Sequence, residues 1–286
     1  MSYDLFFSSK RDVSRDEIHG WLSKQPHAFP SDDRVGFENE VTGVYFGFDF
    51  SEDAALPAFN MNYFRPHTFG LEAEPLLTSF VKRFELDVDD PQMDGMAKGP
   101  YTPEGFLRGW NAGNRFGYRA ILSHDRSTAF KALPRATNHM VWTWNIERPA
   151  IQELMEDAPE LPPAFAPSVF VVEDSAGVIF TLCVWTGDMP VFFPDSVDAF
   201  AIMTSKGNAI VSRADVLSLC KPVVQWKADK KDSRGRTIGT SSVIIDTPSK
   251  AVFKQLEAKA TARELTRLRI DQVLDRETLD EEAKQK

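Results

Sequence analysis

Residues 59–92, FNMNYFRPHTFGLEAEPLLTSFVKRFELDVDDPQ, restrict the fold more than any other stretch of the chain. Phe59, Met61 and Tyr63 alternate with Asn60, Asn62 and Phe64, the period-two pattern of a strand with one buried face. Arg65-Pro66 stops that strand, because proline has no amide hydrogen for the ladder and biases the residue before it away from helix. Leu71, Pro75, Leu76, Phe80 and Phe84 then recur at helical spacing, which predicts a helix with Pro75 in its first turn, where proline is tolerated. Leu86 and Val88 begin a short strand that ends at Asp89-Asp90-Pro91. Strand, helix and strand in about thirty residues have the size of a β-α-β unit, and whether the two strands pair is left open.

The flanking segments extend this into an α+β fold. Tyr3–Phe7 reads as a first strand, and Ser14-Arg15-Asp16-Glu17 has the spacing of a capping box for a helix over 15–24. Residues 34–40 and 43–50 read as a hairpin in which Val44, Phe46, Phe48 and Phe50 share one face. The expected N-terminal domain, 1–147, is an antiparallel sheet with helices on one face. A helix over 103–122 follows, with Phe106, Trp110, Asn114 and Tyr118 along a stripe and Gly109, Gly113 and Gly117 suited to a close packing contact. HMVWTW (139–144) reads as a strand and 151–157 as a short helix. The acidic, proline-rich end of 148–167 marks that stretch as a linker. The second half, 168–286, reads as a β-rich α+β domain. A hairpin turns at Asp174–Gly177, further strands lie at 191–193, 199–203, 223–226 and 242–245, and residues 227–236 form a charged loop. Thr247-Pro248 is expected to open one long C-terminal helix whose stripe is Val252, Leu256, Ala260, Leu265, Leu268 and Leu274, followed by a solvated tail.

Composition bears on partners. A net charge of −9 disfavours nucleic acid and anionic membrane as main partners. No run approaches the roughly twenty apolar residues of a membrane span, and the start MSYDLFFSSKRD does not read as a signal peptide. A cytoplasmic setting is therefore expected. Cys183 and Cys220 are too few for a disulfide framework and read as buried free thiols rather than a reactive pair.

No sequence motif announces catalysis. His19, His27, His67, His124 and His139 are scattered, without HExxH or CxxC, so no metal site and no cofactor is expected. GxSxG, GxxxxGK[ST] and GxGxxG are absent. Asp87, Asp89, Asp90 and Asp94 cluster at the end of the central unit, with Glu72 and Glu74 near in sequence. Such a group can bind a cation, supply acid–base residues, sit as a solvated strand end, or dock a basic partner. Docking is preferred over catalysis because no His or Arg is tied to the cluster. Asn60, Asn62, Arg65 and His67 form a candidate polar pocket, or else local turn architecture. Trp110 with Asn111 and Asn114, and Trp142 with Trp144, are candidate interface anchors, or else core.

MSYDLFF, TGVYFGFDF, NMNYFRPHTFGLEAEPL, DPQ at 90–92 and WTGDMPVFFPDSVD (185–198) together resemble a family of uncharacterised bacterial cytosolic proteins. Size, acidity and organisation are similar to immunity proteins that accompany secreted polymorphic toxins. That resemblance implies a non-catalytic protein-binding protein that neutralises a cognate antibacterial toxin. Its expected contact residues are Asp87, Asp89, Asp90, Asp94, Glu72, Trp110 and Asn114, facing a basic toxin domain. The rival expectations are a hydrolase-like enzyme built from Arg65, His67 and the Asp cluster, and a scaffold or regulatory subunit.

Overall fold

The computed structural model describes residues 1–52, 54–124, 130–157, 161–204, 207–231 and 235–284. Its architecture is α+β. The chain separates into two compact units, Met1–Arg135 with Ile270–Lys286, and Ala136–Arg269.

The first unit opens with β1 (Ser2–Ser9), α1 (Arg15–Leu22), β2 (Ala28–Pro30), β3 (Arg34–Asn39), β4 (Val44–Asp49) and β5 (Ala58–Asn62). It continues with α2 (Thr68–Phe84), β6 (Leu86–Asp89), β7 (Gly99–Pro100), α3 (Pro103–His124) and β8 (Ala132–Leu133). Seven strands form one sheet in the order β2-β3-β4-β5-β1-β6-β7. β1 pairs antiparallel with both β5 and β6, so the strands on either side of α2 run the same way with β1 inserted between them. The β-α-β unit of residues 59–92 is thus a split one, and its two strands do not pair with each other.

Alternation divides the sheet into two faces. Tyr3, Leu5, Val35, Phe37, Phe46, Phe48, Phe59, Met61, Leu86 and Val88 are buried on one face beneath the helices. Phe80 of α2 meets Phe7 and Phe48 of the sheet, Phe106 of α3 meets Phe59, and Trp21 of α1 meets Phe80 and Phe84. α1 starts where expected, with the Ser14 hydroxyl accepting the Glu17 N–H at 3.2 Å.

α2 differs from the sequence reading. It begins at Thr68, so Pro75 lies in the helix interior and not in the first turn. The buried stripe is Phe69, Ala73, Leu77, Phe80, Val81 and Phe84, while Leu71 and Leu76 are only partly covered. Pro75 is exposed, where the hydrogen bond that proline removes costs least.

The second unit is dominated by α4 (Arg135–Asp157), β9 (Val169–Asp174), β10 (Ile179–Trp185), β11 (Val191–Pro194), β12 (Ala199–Thr204) and β13 (Gly207–Ser212). α5 (Arg213–Leu219), β14 (Pro222–Trp226), β15 (Ser242–Ile245), α6 (Lys250–Lys259) and β16 (Leu265–Arg267) follow. HMVWTW is part of α4 and not a strand. Its buried residues Met140, Val141, Trp144 and Asn145 follow helical spacing and are fixed from outside. The Trp144 indole donates to the Pro167 carbonyl at 2.7 Å, and the Asn145 amide pairs both ways with the Val169 backbone at 2.9 Å. Packing here overrides the strand propensity of aromatic and β-branched residues. The short helix read at 151–157, inside the stretch taken as a linker, is the end of α4, with Ile151, Leu154 and Met155 buried; residues 158–160 of the same stretch lie outside the described residues.

The hairpin of β9 and β10 forms as read, but β11 leaves their sheet. β10 pairs in parallel with β12 in the order β13-β12-β10-β9-β16, while β11 joins β15 and β14 in a separate three-stranded sheet. Of the charged loop, residues 232–234 lie outside the described residues.

The single long C-terminal helix divides. Ser249, not Thr247, caps α6, its hydroxyl accepting the Val252 N–H at 3.3 Å, and the helix stops at Lys259. Leu265–Arg267 is the edge strand β16 paired with β9. The chain then returns to the first unit through a helical turn at Ile270–Gln272, β17 (Leu274–Asp275), parallel to β8, and α7 (Arg276–Lys284) where a solvated tail was expected. Apolar spacing explains the break: 252, 256 and 260 hold a four-residue step, whereas 265, 268 and 274 do not. Among the described residues no helix is long and apolar enough to cross a membrane.

Candidate functional site

Two features of the first unit have the makings of a site: the sheet face away from the helices, and a cleft beside α3 and the returning C-terminal segment.

The helix-free face of the sheet carries the other half of each alternation. Ser2, Asp4, Phe6 and Ser8 of β1 lie there beside Asn60 and Asn62 of β5, Asp49 of β4, Arg34 and Glu38 of β3, and Asp87 and Asp89 of β6. Phe6 stands opposite Asp89 in register and is 50% exposed. Asp4 is held by Asn60 Nδ2 at 2.5 Å and the Ser2 hydroxyl at 2.9 Å. Asp87 is paired with Lys10 at 3.2 Å, Asp89 loosely with Lys98 at 3.9 Å, and Asp49 with Arg34 at 3.3 Å. These exposed pairs contribute little to stability. They leave a polar surface with excess carboxylate and two exposed aromatic rings, Phe6 and Phe29, the latter 52% exposed and lying over Gly36 of β3.

The other sequence-derived candidates separate. Asp90 is not on this surface. It is 1% exposed and accepts hydrogen bonds from the Tyr3 hydroxyl at 2.9 Å, the Gln92 N–H at 3.1 Å and the Met96 N–H at 3.2 Å, so it organises the loop after β6 from within. Burial first, and the Asp90 carboxylate second, push the Tyr3 phenol far up from its ordinary value. Asp94 is exposed in the following loop. Glu72 lies on α2, accepting from Asn39 Nδ2 at 2.7 Å and the Thr42 hydroxyl at 3.1 Å, and holds the β3–β4 turn.

Trp110 and Asn114 are buried in α3, away from the sheet surface. Trp110 stacks on Tyr63. Asn114 clasps the exit of β5: its Oδ1 accepts the Phe64 and Arg65 N–H groups at 2.7 and 3.2 Å, and its Nδ2 donates to the Arg65 carbonyl at 2.8 Å. The polar pocket expected from Asn60, Asn62, Arg65 and His67 does not assemble either. The two asparagines face the open sheet surface, Arg65 donates to the Tyr45 hydroxyl, and His67 turns into the cleft. Nor do the Asp87–Asp94 carboxylates line the cleft with His67, so the acid–base grouping of the hydrolase expectation is not built.

That cleft, of about 410 Å³, is lined by His67, Arg108, Asn111, Arg115, Arg135 and Asp275, with Ala112, Asn114 and Thr278 completing the wall. His67 is the residue before α2, and both it and Asp275 are buried. The Asp275 carboxylate accepts the His67 backbone N–H at 2.8 Å and stands 3.0 Å from Nδ1, so it caps α2 from a position 208 residues further along the chain. A carboxylate only accepts, which places the imidazole proton on Nδ1. The Asp275 N–H donates to the Tyr118 hydroxyl at 3.3 Å, which donates in turn to the Arg65 carbonyl at 3.2 Å. Burial, then the nearby Asp275 charge, raise the Tyr118 phenol well above its usual range.

The sequence reading weighed Asn111 only as an interface residue beside Trp110 and passed over Arg108 and Arg115, although the spacing of the three, three and then four residues, sets them on one side of α3. Asp275 had no local signal at all.

Among the described residues no group of His, Cys, Asp and Glu is placed to hold a metal ion. Cys183 and Cys220 are free and buried, and burial raises both thiols above their ordinary value. No family model matches the chain, and neither curated proteins nor solved structures give a match.

Proposed function

We propose that this chain is a non-catalytic protein-binding protein of the immunity type, which neutralises an antibacterial toxin in the cytoplasm by docking a basic toxin domain. The observation that carries the reading is the uncovered sheet face, where Phe6 lies exposed among Asp4, Asp87 and Asp89. A polar face with exposed aromatic rings suits a macromolecular partner better than a small substrate. Its carboxylates would steer a cationic surface into register, and the Phe6 ring would supply desolvated contact area at the centre. The likeness of size, acidity and organisation to immunity proteins suggests the partner's class.

The test is retention of a partner from the native host by tagged wild-type chain and by two variants. One is Phe6→Asp with Asp87→Asn and Asp89→Asn, and the other is Asp94→Asn as a control outside the sheet. The expected result is a stoichiometric partner whose expression alone arrests growth and whose toxicity is relieved by the wild-type chain and by the control. The triple variant should fail at both retention and relief while keeping its far-ultraviolet circular dichroism. Equal retention by the triple variant would remove this face from the interface. A retained partner that is harmless when expressed would remove the immunity reading.

A further inference from the structure

We propose that the cleft beside α3 is a binding site for a small phosphate-bearing molecule, held by Arg108, Arg115 and Arg135. This goes beyond the docking role and does not depend on it, since the two surfaces share no residue.

The argument begins with charge compensation along α3. Arg119 is neutralised, donating to Glu282 at 2.9 Å, and that carboxylate is 1% exposed. The arginines that line the cleft are treated differently. Arg108 is oriented by a neutral acceptor, the Gly95 carbonyl at 2.5 Å, which fixes the guanidinium without cancelling its charge. Arg135 has its backbone N–H on Glu277 at 2.7 Å, but among the described residues its guanidinium has no anionic partner. Arg115 pairs at 3.2 Å with Glu281, and both side chains are more than half exposed, so a stronger anion can displace that contact. In a chain of net charge −9, three guanidinium groups therefore open onto one concavity.

The carboxylate inside the cleft does not cancel them. Asp275 is already engaged by His67 and by the N-terminus of α2, so its charge is locally matched. It also discourages an anion from sinking deep, which places the phosphate among the arginines at the mouth. Planar guanidinium forks match the several acceptor oxygens of a phosphate, and three of them exceed what a single carboxylate can satisfy. The volume lies in the range of small-molecule sites, and Asn111 and Thr278 offer polar contacts for the uncharged remainder of a ligand.

The experiment is calorimetric titration of the full chain with inorganic phosphate, phenyl phosphate and acetate at low ionic strength. The comparison set is wild type, Arg108→Ala with Arg135→Ala, Arg108→Lys with Arg135→Lys, and Arg34→Ala as a distant control. Phosphate and phenyl phosphate are expected to saturate at one equivalent, with the phenyl ester tighter. The double alanine variant should bind at least about tenfold more weakly, the double lysine variant should fall between, and Arg34→Ala should match wild type. Should the alanine pair not fold, the lysine pair carries the comparison, because it keeps the charge and loses only the forks. Absence of saturation below about 10 mM, equal affinity in wild type and the folded arginine variants, or acetate binding as tightly as phosphate would each overturn the proposal.

Discussion

Gly113 and Gly20 show how differently one residue type can be constrained. A Cβ on Gly113 would stand 2.1 Å from the Tyr63 hydroxyl, in the tightest part of the α3–sheet contact. A Cβ on Gly20, within α1, would meet nothing within 4 Å. Gly113→Ala is therefore expected to destabilise the protein by about 2 kcal/mol through overpacking, and Gly20→Ala to stabilise it by about 0.5–1 kcal/mol by lowering the entropy of the unfolded chain. Urea denaturation of the pair checks both signs at once. Tyr63 offers the complementary case. Its hydroxyl is buried and, among the described residues, makes no hydrogen bond. Tyr63→Phe should be neutral or gain about 1 kcal/mol, because the desolvated hydroxyl is removed and the stacking ring stays. A loss above that size would show that the hydroxyl has a partner. The glycine stripe was visible in the sequence as a packing signal, since small residues at four-residue spacing on a polar helix have few other uses. The identity of what packs there was not visible, because Tyr63 lies fifty residues earlier, just past a strand whose register only the sheet defines.

At the scale of elements, what was legible depended on whether a segment's pattern was decided locally. β3 and β4 pair as read because Val35, Phe37, Phe46 and Phe48 alternate and face one core. Ser14 caps α1 as read because a cap is a local hydrogen bond. α4 was missed because Trp144 and Asn145 are fixed by carbonyls and amides of residues 167–169. The return of 270–286 was missed for the same kind of reason, and with it the part of the cleft wall formed by Asp275 and Thr278. Leu274 and Asp275 are adjacent and both buried, yet they do different things. Leu274 packs with Tyr118 and Ala132, whereas Asp275 caps α2. Leu274→Ala should cost about 3 kcal/mol by opening a cavity. Asp275→Ala should cost about 2 kcal/mol by stranding the buried His67 N–H. Chemical denaturation measures both, and an effect under about 0.5 kcal/mol in either would mean that this segment does not hold the first unit together.

At the scale of the whole molecule, the tyrosines are distributed unequally. Tyr3, Tyr45, Tyr63, Tyr101 and Tyr118 all belong to the first unit, and the second has none. Four of the five phenols are shifted upward. Burial is the largest cause in each, reinforced by Asp90 at Tyr3, by Asp4 at Tyr63 and by Asp275 at Tyr118; at Tyr101 the Thr78 hydroxyl partly offsets it. A raised folded-state value means that the native protein holds the proton more tightly than the unfolded chain. Below about pH 10, the ordinary tyrosine value, both states are protonated and the stability is unaffected. Above it the unfolded chain releases protons that the native state retains. Each protected phenol then lowers the unfolding free energy by up to about 1.4 kcal/mol per pH unit, until its own folded-state value is reached. The sign is therefore a loss of stability on the alkaline side, confined to the unit that contains the tyrosines. Phenolate absorbance at 295 nm during a rise from pH 9 to 12 should stay below that of the denatured chain and then climb cooperatively. Hydrogen exchange over the same range should show β1, β5 and α3 losing protection before β9, β10 and β12. Tyr3→Phe should move the alkaline transition upward, because the phenylalanine ring has no proton to release. Phenols that titrate near pH 10 without any change in exchange would show instead that the interior of the first unit is open to hydroxide.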